Sequence, residues 1–164
     1  MAYHGVELQT SITIGKIFSI HYFEYMSNFS FAGESHNFWE FICVDKGEVG
    51  VTRGKSYTIL KKGDLIFHKP NEFHDVKATG GIAPNLVVIS FECNDDAMYF
   101  FNDRLLQIDE TERNLLANII IEARRCFDCR LDDPYLQNMP LKDPDTFGAQ
   151  QMIKLYLEHF LIHL

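Results

Sequence analysis

The pattern of apolar residues changes character near residue 95 of this 164-residue chain, and no other feature restricts its fold as much. Upstream of that point, β-branched and aromatic residues come in short runs broken by Gly, Asn and Pro, and helical periodicity is hard to find. The runs at 12–14, 17–25, 39–45, 48–53, 55–60, 64–68, 74–77 and 86–93 read as strands. Lys46-Gly47 and Arg53-Gly54 read as tight hairpin turns, because glycine takes a left-handed backbone at little steric cost. Short strands in regular succession predict an all-β sandwich or barrel.

Downstream the period becomes helical. Asp109-Glu110-Thr111-Glu112 places an Asp three residues before a Glu, the arrangement of a reciprocal helix N-cap. Leu115, Leu116, Ile119, Ile120, Ala123 and Phe127 then recur on one stripe, which predicts a helix over 109–127. Pro134, Pro140 and Pro144 keep the segment 128–145 out of a helix. A second helix is predicted over 147–164. Its apolar arc, with Ile153, Leu157, Phe160 and Leu161 among others, is wider than a surface helix needs and calls for a partner helix. That pattern is still running at Leu164, with no Gly and no Lys or Arg to close it. The expectation is therefore a mainly β (α+β) piece of a longer protein, with a barrel at 1–95 and a helical segment at 96–164 packed on it.

Charge narrows the partners. A net charge of −8 excludes a free-standing nucleic-acid binder, which needs a basic face to displace counterions, and it disfavours an anionic membrane surface. No run of about 18 apolar residues occurs, so no membrane partner is expected, and the N-terminus lacks a signal peptide. Cys43, Cys93, Cys126 and Cys129 do not form a disulfide framework, so a cytoplasmic protein with reduced thiols is expected. Cys126-Phe127-Asp128-Cys129 has Cys-x-x-Cys spacing but sits at the end of a predicted helix with no second pair, and reads as structural.

Two stretches carry chemistry. In Gly33-Glu34-Ser35-His36-Asn37-Phe38-Trp39-Glu40, strand alternation would put Glu34, His36, Phe38 and Glu40 on one face, where two carboxylates and an imidazole are costly to bury without partners. In the other, residues 63–74, a Gly-Asp turn enters a strand ending at His68, Pro70-Asn71 turns the chain, and His74 begins the next strand. Trp39 and Phe41 are expected to pack outside the barrel against the helices, and Phe38 to line a pocket.

These stretches resemble the two motifs of the cupin superfamily, a double-stranded β-helix barrel. His36 matches the second His of the first motif, Glu40 its Glu, and His74 the His of the second motif. Glu34 stands in place of the first His, and the spacing to Glu40 is shortened. The phrases His-Asn-Phe-Trp-Glu-Phe, Phe67-His68-Lys69-Pro70-Asn71-Glu72-Phe73-His74 and Ile89-Ser90-Phe91-Glu92 extend the likeness to the N-terminal sensor domain of AraC-type transcription regulators. That resemblance implies a cupin barrel followed by two dimerising helices. It also implies a DNA-binding domain of two helix-turn-helix motifs beyond residue 164, through which alone DNA would be contacted.

The domain itself would bind a small-molecule effector, form a homodimer through its C-terminal helices, and not be an enzyme. Glu34, His36, Phe38, Glu40 and His74 are the candidate ligand-binding residues. His36, Glu40 and His74, with Glu34 or His68 in support, are also a candidate site for a divalent metal such as Zn, Ni, Fe or Mn. The competing class is a metal-dependent cupin enzyme, a dioxygenase or isomerase. A third reading is a His–Glu pair that only stiffens the barrel.

Overall fold

Nine strands form two antiparallel sheets in the computed structural model, which describes residues 1–79 and 81–164. They are β1 (Lys16–Glu24), β2 (Ser30–Glu34), β3 (Trp39–Lys46), β4 (Glu48–Arg53), β5 (Ser56–Lys61), β6 (Asp64–His68), β7 (His74–Ala78), β8 (Asn85–Glu92) and β9 (Leu105–Gln107). The five-stranded sheet runs β1-β8-β3-β6-β9 and the four-stranded sheet β2-β7-β4-β5. The chain thus passes back and forth between the sheets as it advances, winding both into one barrel.

Strand alternation explains why β3, β6 and β8 are apolar almost throughout. Their residues Phe41, Cys43, Leu65, Phe67, Ile89 and Phe91 face outward into a core shared with the helices. The intervening Ile42, Val44, Ile66, Leu86 and Val88 face inward and meet Val49, Val51, Leu60 and Val76 of the other sheet. The central strands are therefore buried on both faces.

The expected N-cap forms: the Asp109 carboxylate accepts from Thr111 N at 2.6 Å, and Asp109 N donates to Glu112 Oε2 at 2.7 Å. It opens α1 (Glu110–Cys126). After the proline-bearing connection, α2 (Ala149–His163) runs back alongside α1. The Thr146 hydroxyl donates to Arg125 O at one end of the pair, and His163 meets Glu112 at the other. Trp39 and Phe41 belong to the outer core beneath the helices, with Phe41 and Phe160 ring centroids 5.2 Å apart.

Several details differ from expectation. Lys46-Gly47 is not a hairpin: β3 and β4 lie in different sheets, and Gly47, at φ +74°, turns the corner between them. A side chain there would meet the Ile82 and Ala83 carbonyls at 3.1–3.2 Å. Residues 12–14 are not a strand. Ile12 and Ile14 are buried, but Thr13 N donates to Asp95 and Ile14 N to Glu158, so side chains replace a ladder partner. Strands β2 and β9 and a 3-10 helix at Asp96–Phe101 escaped the sequence pattern. Within the segment read as helical, β9 pairs with β6 and extends the five-stranded sheet.

Candidate ligand pocket

The inner face of the barrel opens into a cavity of about 370 Å³. Its floor is set by β3. Glu40 points inward and is 7% exposed. Its Oε2 accepts a 2.6 Å hydrogen bond from the Ser90 hydroxyl, its ladder neighbour on β8, and Ser19 of β1 donates to Ser90 in turn at 2.9 Å. A register shift between Ile17 and Ser19 allows both Phe18 and Ser19 to reach the cavity.

Two imidazoles converge on this carboxylate. His36 Nε2 lies 3.5 Å from Glu40 Oε2 and His74 Nε2 3.3 Å from Oε1. Neither contact is aligned as a hydrogen bond, so both buried nitrogens lack a hydrogen-bond partner. The other ring nitrogens settle the tautomers. His36 Nδ1 is 3.0 Å from Phe38 O and His74 Nδ1 is 3.1 Å from Glu72 O. A carbonyl only accepts, so each Nδ1 carries the hydrogen, and in the neutral rings each Nε2 presents a lone pair. Glu34, at the exposed end of β2, completes the group: ligand atoms of Glu34, His36, Glu40 and His74 all lie within 4.8 Å of one another.

Burial alone would raise the Glu40 pKa, but the contacts with His36 and His74 prevail and hold it well below the usual carboxylate range. Burial likewise opposes a charge on His74, yet Glu40 outweighs it and raises that pKa. His68, opposite Glu40 on β6, behaves differently. It is fully buried, stacks on His74 at 4.2 Å, and has no partner for either ring nitrogen. Burial first, and the charge of His74 second, push it down to about 3. His68 is not among the residues lining the cavity.

Aromatic rings make the walls. Phe18, Phe38 and His36 form a continuous stack, with centroids 3.9 and 3.8 Å apart. Tyr25 and Phe29 pack edge to face at 4.2 Å, with Phe31 also on the wall. Burial raises the Tyr25 pKa, so its phenol stays protonated. The mouth is bordered by Pro134–Gln137 of the connection between α1 and α2. Two contacts moor that connection to β1: Tyr22 N donates to Leu131 O at 2.9 Å, and His21 Nδ1 lies 3.0 Å from Asp133 O.

All five candidate ligand-binding residues line this cavity, though not as one strand face. β2 ends at Glu34, residues 35–38 turn, and β3 begins at Trp39, so Glu34 and Glu40 lie in different sheets. They meet because the barrel closes between them. Sequence reasoning missed Ser90, which a lone hydroxyl within an apolar run could have flagged. It also missed 134–137, where Pro134 marks a loop without saying what the loop covers. The donor set suits a divalent metal: two imidazole lone pairs and two carboxylates converge, and the two nitrogens have no other hydrogen-bond partner.

Residues 18–100 match the model of a family described as AraC-like ligand binding domain. No curated protein matches the sequence. Similar solved structures include a cupin 2 conserved barrel domain protein from Rhodopseudomonas palustris, at 19% identity and TM-score 0.39, covering 63% of this chain and 63% of that one. The Cnp3 cupin domain of Schizosaccharomyces pombe is 16% identical at TM-score 0.43, with 54% and 65% covered. A predicted oxalate decarboxylase from Thermotoga maritima is 19% identical at TM-score 0.37, with 41% and 58% covered. The chain spans less than two thirds of the length of each of these three.

Proposed function

Since the chain belongs to the family of AraC-like ligand binding domains and has the cupin double-stranded β-helix fold, we propose that it is the effector-sensing and dimerisation domain of a cytoplasmic transcription regulator. A small effector enters the barrel and meets Glu34, His36, Glu40 and His74, with Phe38 as an apolar wall. One observation carries this reading: the connection between α1 and α2 forms part of the cavity mouth. A ligand that touches Pro134–Gln137 acts on the segment that joins the two helices, so occupancy and helix position share one free energy. The domain acts as a binding module rather than an enzyme, and contacts DNA only through a separate domain.

Leu155 and Ile162 on α2 and Ile121 on α1 are 48%, 62% and 53% exposed, which supports a homodimer through these helices. Sedimentation of the native chain and of Ile162→Asp checks this: the variant is expected to be monomeric.

Thermal denaturation against a panel of polar metabolites tests the pocket. A true effector at a hundredfold its Kd adds about 2.7 kcal/mol to stability. Val88→Phe, which fills the cavity from β8, is expected to abolish that shift. A panel with no stabilising ligand, or a shift that survives in the filled variant, overturns the reading.

The convergence of four ligand atoms favours a second reading, in which Glu34, His36, Glu40 and His74 hold a divalent metal. Such an ion would supply Lewis acidity, either as the sensed species or for a cupin dioxygenase or isomerase. Elemental analysis of purified protein, with and without His74→Ala, separates this from a metal-free pocket.

A further inference from the structure

The cavity floor carries two carboxylates and no Lys or Arg among the described residues. His36 and His74 direct their Nδ1 hydrogens to the carbonyls of Phe38 and Glu72, which leaves each Nε2 facing inward. Both nitrogens are buried without a hydrogen-bond partner, and the His74 side chain is only 2% exposed. Glu34 and Glu40 bring carboxylate oxygens within 4.8 Å of these nitrogens and of each other. Among the described residues, no Lys or Arg lines the cavity. Such a floor repels carboxylates and phosphates. It calls for a group that brings several donors and positive charge.

A bare metal ion would answer the floor but not the rest of the cavity. The rest of its lining is largely aromatic and aliphatic, Phe18, Phe38, Tyr25, Phe29 and Phe31 among it. Aromatic faces attract cations and accommodate flat apolar groups. We propose that the cavity is built for a small amphipathic organic cation, an aryl-alkyl primary amine, with its ammonium between Glu34 and Glu40 and its ring among the phenylalanines. This rests on the effector-pocket reading above and adds the ligand's charge class to it.

Calorimetric titration of the EDTA-treated protein with phenethylamine, 2-phenylethanol and 3-phenylpropanoate tests the inference, since the three differ mainly in the charge of one end. The amine is expected to bind about tenfold more tightly than the alcohol, the gain of a charge-assisted over a neutral hydrogen bond, with the carboxylate weakest. Glu34→Gln, at an exposed strand end where the fold tolerates it, is expected to erase most of the preference for amine over alcohol. If the alcohol or the carboxylate binds as tightly as the amine, the charge class is wrong while the effector pocket stands. Binding by none of the three overturns the charge class, and the metabolite panel then judges the pocket separately. Amine binding that needs added Zn or Ni, or that persists in Val88→Phe, also overturns it, because the amine would then ligate a metal or sit elsewhere.

Discussion

His68 offers a quantitative check on the electrostatics of the barrel interior. It is fully buried, neither ring nitrogen has a partner, and its pKa falls to about 3 from an ordinary value of 6.5. Between those values the unfolded chain holds a proton that the folded chain refuses, so His68 makes stability rise with pH and reach its full value above 6.5. Each pH unit below 6.5 costs about 1.4 kcal/mol, or about 2 kcal/mol by about pH 5. His74 acts in the opposite sense: with its folded pKa raised, it contributes stability that is complete below 6.5 and is lost as pH rises through the folded value. Comparing the native chain with His68→Leu cancels most of the His74 contribution and leaves that of His68. Urea unfolding at about pH 7.5 and about pH 5 should show the Leu variant gaining about 2 kcal/mol on the native chain at the lower pH. His68→Gln should gain as much, since it too cannot titrate, but from a lower baseline, because its amide is still buried without partners. If the stability difference between native and Leu chains is the same at both pH values, the buried imidazole does not exclude the proton and the reasoning fails.

Three further changes probe other parts of the molecule. Phe160→Ala removes the α2 ring that rests on Phe41 and should cost about 3–5 kcal/mol in urea unfolding. Gly33→Ala forces a side chain onto a backbone at φ +94°, 2.7 Å from the His74 carbonyl; thermal denaturation should register a loss of more than about 1 kcal/mol. In Glu40→Gln, burial of the His74 ring is opposed only by the Glu34 charge and the Glu72 carbonyl, so NMR titration should find its pKa lower than in the native chain.

The residues that line the candidate pocket stand out in the sequence, but the way they meet does not. Glu34, His36 and Glu40 draw notice because carboxylates and an imidazole interrupt a β-rich region, and His74 because it opens a strand after a Pro-Asn turn. Alternation along one strand is a local rule, however, and these residues converge through closure of two sheets, which no local rule contains. Gly47 shows the same limit: a glycine at a turn announces a left-handed backbone but not whether the next strand returns alongside or crosses to the other sheet. α1 was legible to within a residue because its N-cap, stripe and end are all encoded locally. β9 has three residues, too few for a period to show. The connection over the cavity mouth owes its position to two backbone carbonyls, Leu131 O and Asp133 O, and carbonyls leave no trace in a sequence.

The strict division of β3 between its two faces has a consequence for how such domains diversify. Glu40 and Ile42 border the cavity, while Trp39, Phe41 and Cys43 support the helices. Substitutions at the even positions can retune what is recognised without disturbing the packing beneath α1 and α2, and substitutions at the odd positions can alter helix seating without changing the chemistry of the floor. Under the proposed sensing role, chemical preference and mechanical output would thus be nearly independent traits on one strand. A single-residue insertion within β3 would exchange the two sets and destroy both at once.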